Sequence, residues 1–100
     1  MPDHRTAVVA LDPEVKADLV RRLKTARGHL DAIVGMVDQD AYCLEVLRQL
    51  SAVRSALDRV GRIELRHHLQ HCFVEAMRTG DEEPAVLELM ETLEYDKNVV

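Results

Sequence analysis

From Ala41 to Thr79 the chain contains no proline, and Gly61 is its only glycine. Apolar residues recur through this stretch at Leu47, Leu50, Val53, Leu57, Val60, Leu69, Phe73 and Ala76, the spacing of one face of an α-helix. The pattern predicts a single helix of about 38 residues, which at ~1.5 Å per residue is about 57 Å long. A rod of that length exceeds the diameter of a compact 100-residue protein. The rest of the chain cannot cover its apolar stripe, so the length alone calls for a second copy.

The flanking segments are helical too. Leu11-Asp12-Pro13-Glu14 is a helix start, with Asp12 as N-cap, proline at the first helical position and an acid in the first turn. Val15, Leu19, Leu23, Ala26, Leu30, Ile33 and Val37 continue it at helical spacing for about 25 residues. Asp38-Gln39-Asp40 breaks the pattern and places Asp40 to cap the second helix. Thr79-Gly80 ends that helix with a residue suited to the left-handed position. Pro84 then opens a third helix of about 11 residues carrying Val86, Leu89, Met90 and Leu93. The expectation is an all-α, three-helix protomer with a very long central helix. Residues 1–11 form an N-terminal arm and residues 12–100 a single domain.

Charge is distributed unevenly. Residues 1–66 hold 11 Lys and Arg against 10 Asp and Glu, whereas residues 67–100 hold 2 against 8. The net charge of −5 therefore conceals a cationic first half, with Lys16, Arg21, Arg22, Lys24 and Arg27 followed by Arg54, Arg59, Arg62 and Arg66. Such asymmetry permits an anionic partner on one face and equally suits a solvated helix surface. No apolar run approaches the ~18–20 residues that span a bilayer, and the first residues do not resemble a signal peptide. A reducing, cytoplasmic setting is expected for the two thiols.

Those thiols are Cys43, in the first turn of the long helix, and Cys72, near its end. Along a continuous helix they stand about 43 Å apart, too far for a disulfide or a shared metal within one chain. An antiparallel pair of these helices instead sets Cys43 of one chain beside Cys72 of the other, creating two equivalent sites by symmetry. His68 lies four residues before Cys72 and shares its face. Two thiolates and one imidazole suit Cu(I), Zn(II) or Ni(II). His67 and His71 point elsewhere and are expected to face solvent. A His and a Cys four apart also occur on helices without function, and Cys43 suits a small buried apolar position. A Cys–His catalytic pair lacks a glycine-rich turn to form an oxyanion hole, so no enzyme is expected.

The elements RRLKTARGHLD, DAYC, QLSAVRSAL and HxxxC, spread over residues 21–73, closely resemble the CsoR/RcnR family of metal-sensing repressors, and in particular its copper-sensing branch. The resemblance implies an antiparallel helical dimer assembling into a tetramer. It also implies operator DNA bound in the metal-free state and released on metal binding. It implies one Cu(I) per protomer held between protomers by Cys43, His68 and Cys72. Tyr42 and Glu88 match the residues linking the ligand histidine to the third helix. Arg22 and Arg59, with Lys24 and Arg27, match the basic residues implicated in DNA binding. The histidine that the nickel and cobalt branch adds near the first helix falls here at about Leu11, so that ligand is missing. A nickel or zinc sensor with the same three ligands, and a metal-buffering helical module without DNA, remain as alternatives.

Overall fold

The computed structural model describes residues 11–80 and 82–95, apart from the side chains of Cys72, Phe73, Ala76, Glu82 and Ala85. Of the N-terminal arm expected over residues 1–11, residues 1–10, His4 among them, lie outside the described residues. Four α-helices follow in order: α1 (Pro13–Asp38), α2 (Cys43–His68), α3 (Val74–Thr79) and α4 (Glu82–Tyr95). No strand occurs among the described residues.

Helix α1 starts as its sequence dictates. The Asp12 carboxylate accepts the Glu14 N–H at 2.9 Å, and its carbonyl accepts the Lys16 N–H at 2.8 Å, with Pro13 at the first helical position. The far end departs from expectation. Asp40 does not cap α2; it is the left-handed residue that closes α1, at φ 58°. The Asp40 N–H donates to the Val37 carbonyl at 3.1 Å and the Ala41 N–H to the Met36 carbonyl at 2.9 Å. These paired bonds form a Schellman motif, in which a left-handed residue lets the chain turn back and satisfy the last carbonyls. The N-cap of α2 is Tyr42, whose side chain makes no capping bond.

The predicted single long helix is not a uniform α-helix. After His68 the backbone widens into a π segment, Leu69–Phe73, in which the Val74 N–H reaches the Leu69 carbonyl five residues back. The α-helical winding then resumes as α3, so α2, the π segment and α3 form one rod with a wide turn inside it. Gly80, at φ 88°, ends this rod as expected. Helix α4 has 14 residues rather than about 11 and begins at Glu82, ahead of Pro84. Proline is tolerated there because first-turn N–H groups have no helical partner to lose.

Helices α1 and α2 pack antiparallel. The Asp12 N–H meets His67, and His29 meets Gln49, so each step up α1 matches a step down α2. The seam is narrow. On α1 the buried residues are Leu19, Ala26 and Ile33, spaced seven apart as along a coiled-coil seam, and on α2 they are Val53, Leu65 and His67. No side chain among the described residues is completely enclosed. The molecule measures 56 × 27 × 20 Å, with a radius of gyration of 17.4 Å against about 13 Å for a compact chain of this length. Leu23, Leu30, Val34 and Val37 on α1 and Leu44, Leu47, Leu50 and Leu57 on α2 stay substantially exposed. Two helices can bury only one stripe of each other, and both carry more apolar surface than that stripe.

Candidate metal and nucleic-acid sites

Helix α4 folds back against the C-terminal end of α2. A cleft of about 390 Å³ opens between them, lined by Gly61, Leu65 and His68 on α2 and by Glu88, Thr92 and Tyr95 on α4. At its base His68 Nε2 lies 3.4 Å from Glu88 Oε1, with both side chains largely buried. This contact joins two of the residues singled out in the sequence. It turns the Nε2 edge of the imidazole toward α4.

The remaining candidates stand elsewhere. Cys43 is exposed, with a free thiol, at the first position of α2. From there to His68 is the whole of α2, about 38 Å at the usual helical rise. Tyr42 precedes Cys43 and is 74% exposed, so within one protomer it does not approach His68. Cys72 lies within the π segment, and its side chain is outside the described residues. Among the described residues, one chain brings together no group of three His, Cys, Asp or Glu side chains placed to hold a metal. The donor set is nevertheless chemically suited to a soft cation, with an exposed thiol at one end of the rod and an oriented imidazole at the other.

His67 corrects the expectation that it faces solvent. It is only 7% exposed, the one buried polar residue among those described. Its Nε2 accepts the Asp12 N–H at 3.3 Å, and its ring lies against that of exposed His71, centroids 4.4 Å apart. His67 therefore fastens the start of α1 to the end of α2. The antiparallel pairing that buries it cannot be read from a histidine-rich segment alone.

A second feature lies on the α1–α2 surface. A groove of about 470 Å³ is lined by Arg21, Arg22, Thr25 and His29 from α1 and by Arg59 and Arg62 from α2. Arg22 and Arg59, expected to act together, are brought together here; Arg21 and Arg62 join them. Asp18 holds two of the four, accepting from Arg22 Nε at 2.8 Å and from Arg21 Nη2. The Arg22 hydrogen bond, helped by Arg21, keeps the Asp18 carboxyl below its usual range against the opposing effect of desolvation. Lys24 and Arg27 are exposed and do not line this groove; Lys24 borders an open face of α1 with Pro13, Lys16 and Val20.

The chain as a whole is similar to known proteins in sequence and in fold. The family described as metal-sensitive transcriptional repressor matches residues 15–95. The copper-sensing transcriptional repressor CsoR of Mycobacterium ulcerans is 46% identical over 80 residues, covering 80% of this chain and 68% of that protein. The copper-sensing repressor CsoR of Bacillus subtilis is 38% identical over 76 residues, covering 76% and 75%. The crystal structure of CsoR with Cu(I) from Geobacillus thermodenitrificans superposes with a TM-score of 0.83 at 32% identity, covering 88% of this chain and 92% of that one. The nickel-responsive transcriptional regulator InrS superposes with a TM-score of 0.72 at 37% identity, covering 89% and 98%. On the extent of this match and these identities, the chain belongs to the family of metal-sensitive transcriptional repressors.

Proposed function

We propose that this chain is a Cu(I)-responsive cytoplasmic repressor, holding operator DNA when metal-free and releasing it when Cu(I) binds. The observation that carries this reading is the His68–Glu88 contact. It connects a candidate ligand on the long rod to a separate helix, as a sensor requires. The site is completed between protomers: His68 and Cys72 come from one chain and Cys43 from the other, one Cu(I) per protomer. The 56 Å length and the exposed leucines of α1 and α2 support an antiparallel dimer that pairs again into a tetramer.

When bound, Cu(I) supplies a soft cation that two thiolates and an imidazole satisfy at coordination number three. The protein's part is mechanical. His68 would present Nδ1 to the site while its Nε2 edge faces Glu88, so holding the ring also fixes the middle of α4. Tyr42 of the partner's site edge adds a second hydrogen-bonding group for that nitrogen. Arg22 and Arg59 hold DNA phosphates in the α1–α2 groove. Metal weakens DNA binding only by the difference in its affinity for the two arrangements of the assembly.

Gel mobility shift on operator DNA, anaerobic and with reductant, tests this reading with and without Cu(I). The wild type is expected to bind metal-free and to release with Cu(I). His68→Ala should still take Cu(I) through its thiolates yet remain on DNA. Release by that variant as complete as by wild type would remove His68 from the coupling. The likeness to InrS makes Ni(II) the second metal to titrate, with Zn(II) beside it. A metal-buffering module without DNA binding would show no shift under any of these conditions.

A further inference from the structure

Resting on the operator-binding reading, we propose that Asp18 is a positioning residue for DNA: it holds Arg22 by the Nε–H from outside the arginine groove, so that both Nη groups of Arg22 are set for a backbone phosphate.

The groove offers an anion few donors besides its guanidinium groups. Thr25 spends its hydroxyl hydrogen on the Arg21 carbonyl at 3.0 Å. The Gln49 amide nitrogen donates to Glu45 Oε1 at 2.8 Å, which turns the amide oxygen to His29 Nε2, 2.6 Å away. That oxygen only accepts, so the neutral His29 ring donates to it and has only an acceptor nitrogen left. Phosphate oxygens also only accept, and neither Thr25 nor His29 can then hold one. Binding falls to Arg21, Arg22, Arg59 and Arg62, with the Ser55 hydroxyl beside them. The placement of these arginines therefore sets how well the groove takes a phosphate.

Arg22 is placed by Asp18. Its Nε donates to Asp18 Oδ2 at 2.8 Å, while Arg21 reaches Oδ1 through Nη2. Asp18 is not among the residues lining the groove, so its carboxylate grips Arg22 from outside. A guanidinium carries five N–H donors, of which Nε accounts for one; Arg22 keeps the four on Nη1 and Nη2. Those two groups form the planar fork that takes two phosphate oxygens side by side. The Arg22 side chain is 29% exposed against 68% for Arg21. Arg22 has therefore already given up, on folding, rotor freedom that a loose surface arginine loses only on binding. Arg59 and Arg62 are exposed, and among the described residues no carboxylate is bonded to either.

Fluorescence anisotropy on labelled operator DNA, metal-free and at one salt concentration, tests the proposal on the full chain. Asp18→Asn and Asp18→Leu both remove the charge, so comparing them with each other sets aside the repulsion between Asp18 and phosphate. The first keeps an oxygen for the half-buried Arg22; the second keeps none. Asp18→Leu should bind operator about threefold or more weaker than Asp18→Asn, the scale of one side chain left to be ordered on binding. With Arg22→Met added to each, the two should bind alike, because no guanidinium is left to position. Equal affinities of Asp18→Asn and Asp18→Leu with Arg22 in place overturn the proposal. A defect of Asp18→Leu that persists beside Arg22→Met overturns it too, since its source would then be α1 itself. Circular dichroism checks folding, and Asp18→Ala replaces Asp18→Leu should the latter not fold. Failure of the operator reading shows differently, since the wild type itself would then not bind operator DNA.

Discussion

Replacing His67 by phenylalanine keeps a ring of similar size at the meeting of α1 and α2 but removes the nitrogen that accepts the Asp12 N–H. That N–H precedes the first turn of α1, and no other acceptor for it is seen among the described residues. A hydrogen bond between neutral groups contributes about 1 kcal/mol net, and a donor stranded out of water costs about 1–3 kcal/mol. Asp12 is itself exposed, so water can reach part of the way and the lower end applies. The ring packing against His71 is retained by phenylalanine. A loss of about 1–1.5 kcal/mol follows, which for a domain of this size lowers Tm by roughly 4–12 °C. Circular dichroism melts of metal-free wild type and His67→Phe, at one protomer concentration because association raises Tm, measure it. Hydrogen exchange should localise the loss to the first turn of α1. A variant melting at or above wild type would refute the argument, because the bond would then not be holding α1 to α2.

Two further outcomes follow from the structure. Asp40→Gly relieves a left-handed backbone that costs an L-residue about 1–2 kcal/mol, so, after glycine's greater chain entropy, it should stabilise by about 0.5–1 kcal/mol in denaturant melts; destabilisation would mean that the Asp40 side chain holds the turn. Asp18 has a folded-state pKa below its unfolded value, so its contribution is present above about pH 4 and is lost as pH falls through the lower folded value. Asp18→Asn should therefore flatten the acid limb of a stability–pH profile below about pH 4, and an unchanged limb would show that the Arg22 bond adds nothing.

Much of this architecture was open to sequence reasoning because it rests on local rules. The α1 start follows from Asp12 and Pro13, and the α1 apolar face from helical spacing, although of its seven residues only Leu19, Ala26 and Ile33 are buried within the protomer. The end of the rod follows from Gly80, where the structure agrees residue for residue. The features that escaped depend on partners far apart in sequence or on small backbone differences. Asp40 reads equally well as the cap of a following helix or the close of a preceding one, and only the bonds to Met36 and Val37 decide. The π segment changes no composition or periodicity enough to be seen. His67 looks like its neighbours until the antiparallel pairing places it under Asp12. Of the candidate metal residues, helical spacing alone singled out His68, and Glu88 came from family likeness; the structure brings those two together. Arg22 and Arg59, 37 positions apart, share a groove only because α1 and α2 pair in antiparallel register.

The wide turn at Leu69–Phe73 has a consequence for how this rod tolerates changes in length. A π turn holds one more residue than the α turn it replaces, and each residue of an α-helix accounts for about 100° of rotation. Deleting one residue between Leu69 and Phe73 would relax the backbone into ordinary α-helix. Because the wide turn has already absorbed that residue, everything beyond it, Glu88 included, would keep nearly the same angle and height relative to His68. A deletion in the uniform α-helix on the N-terminal side, by contrast, would swing all that follows by about 100°. In libraries of single-residue deletions scored for repression and release separately, this stretch should tolerate a deletion better than the α-helical turns of α2 before it.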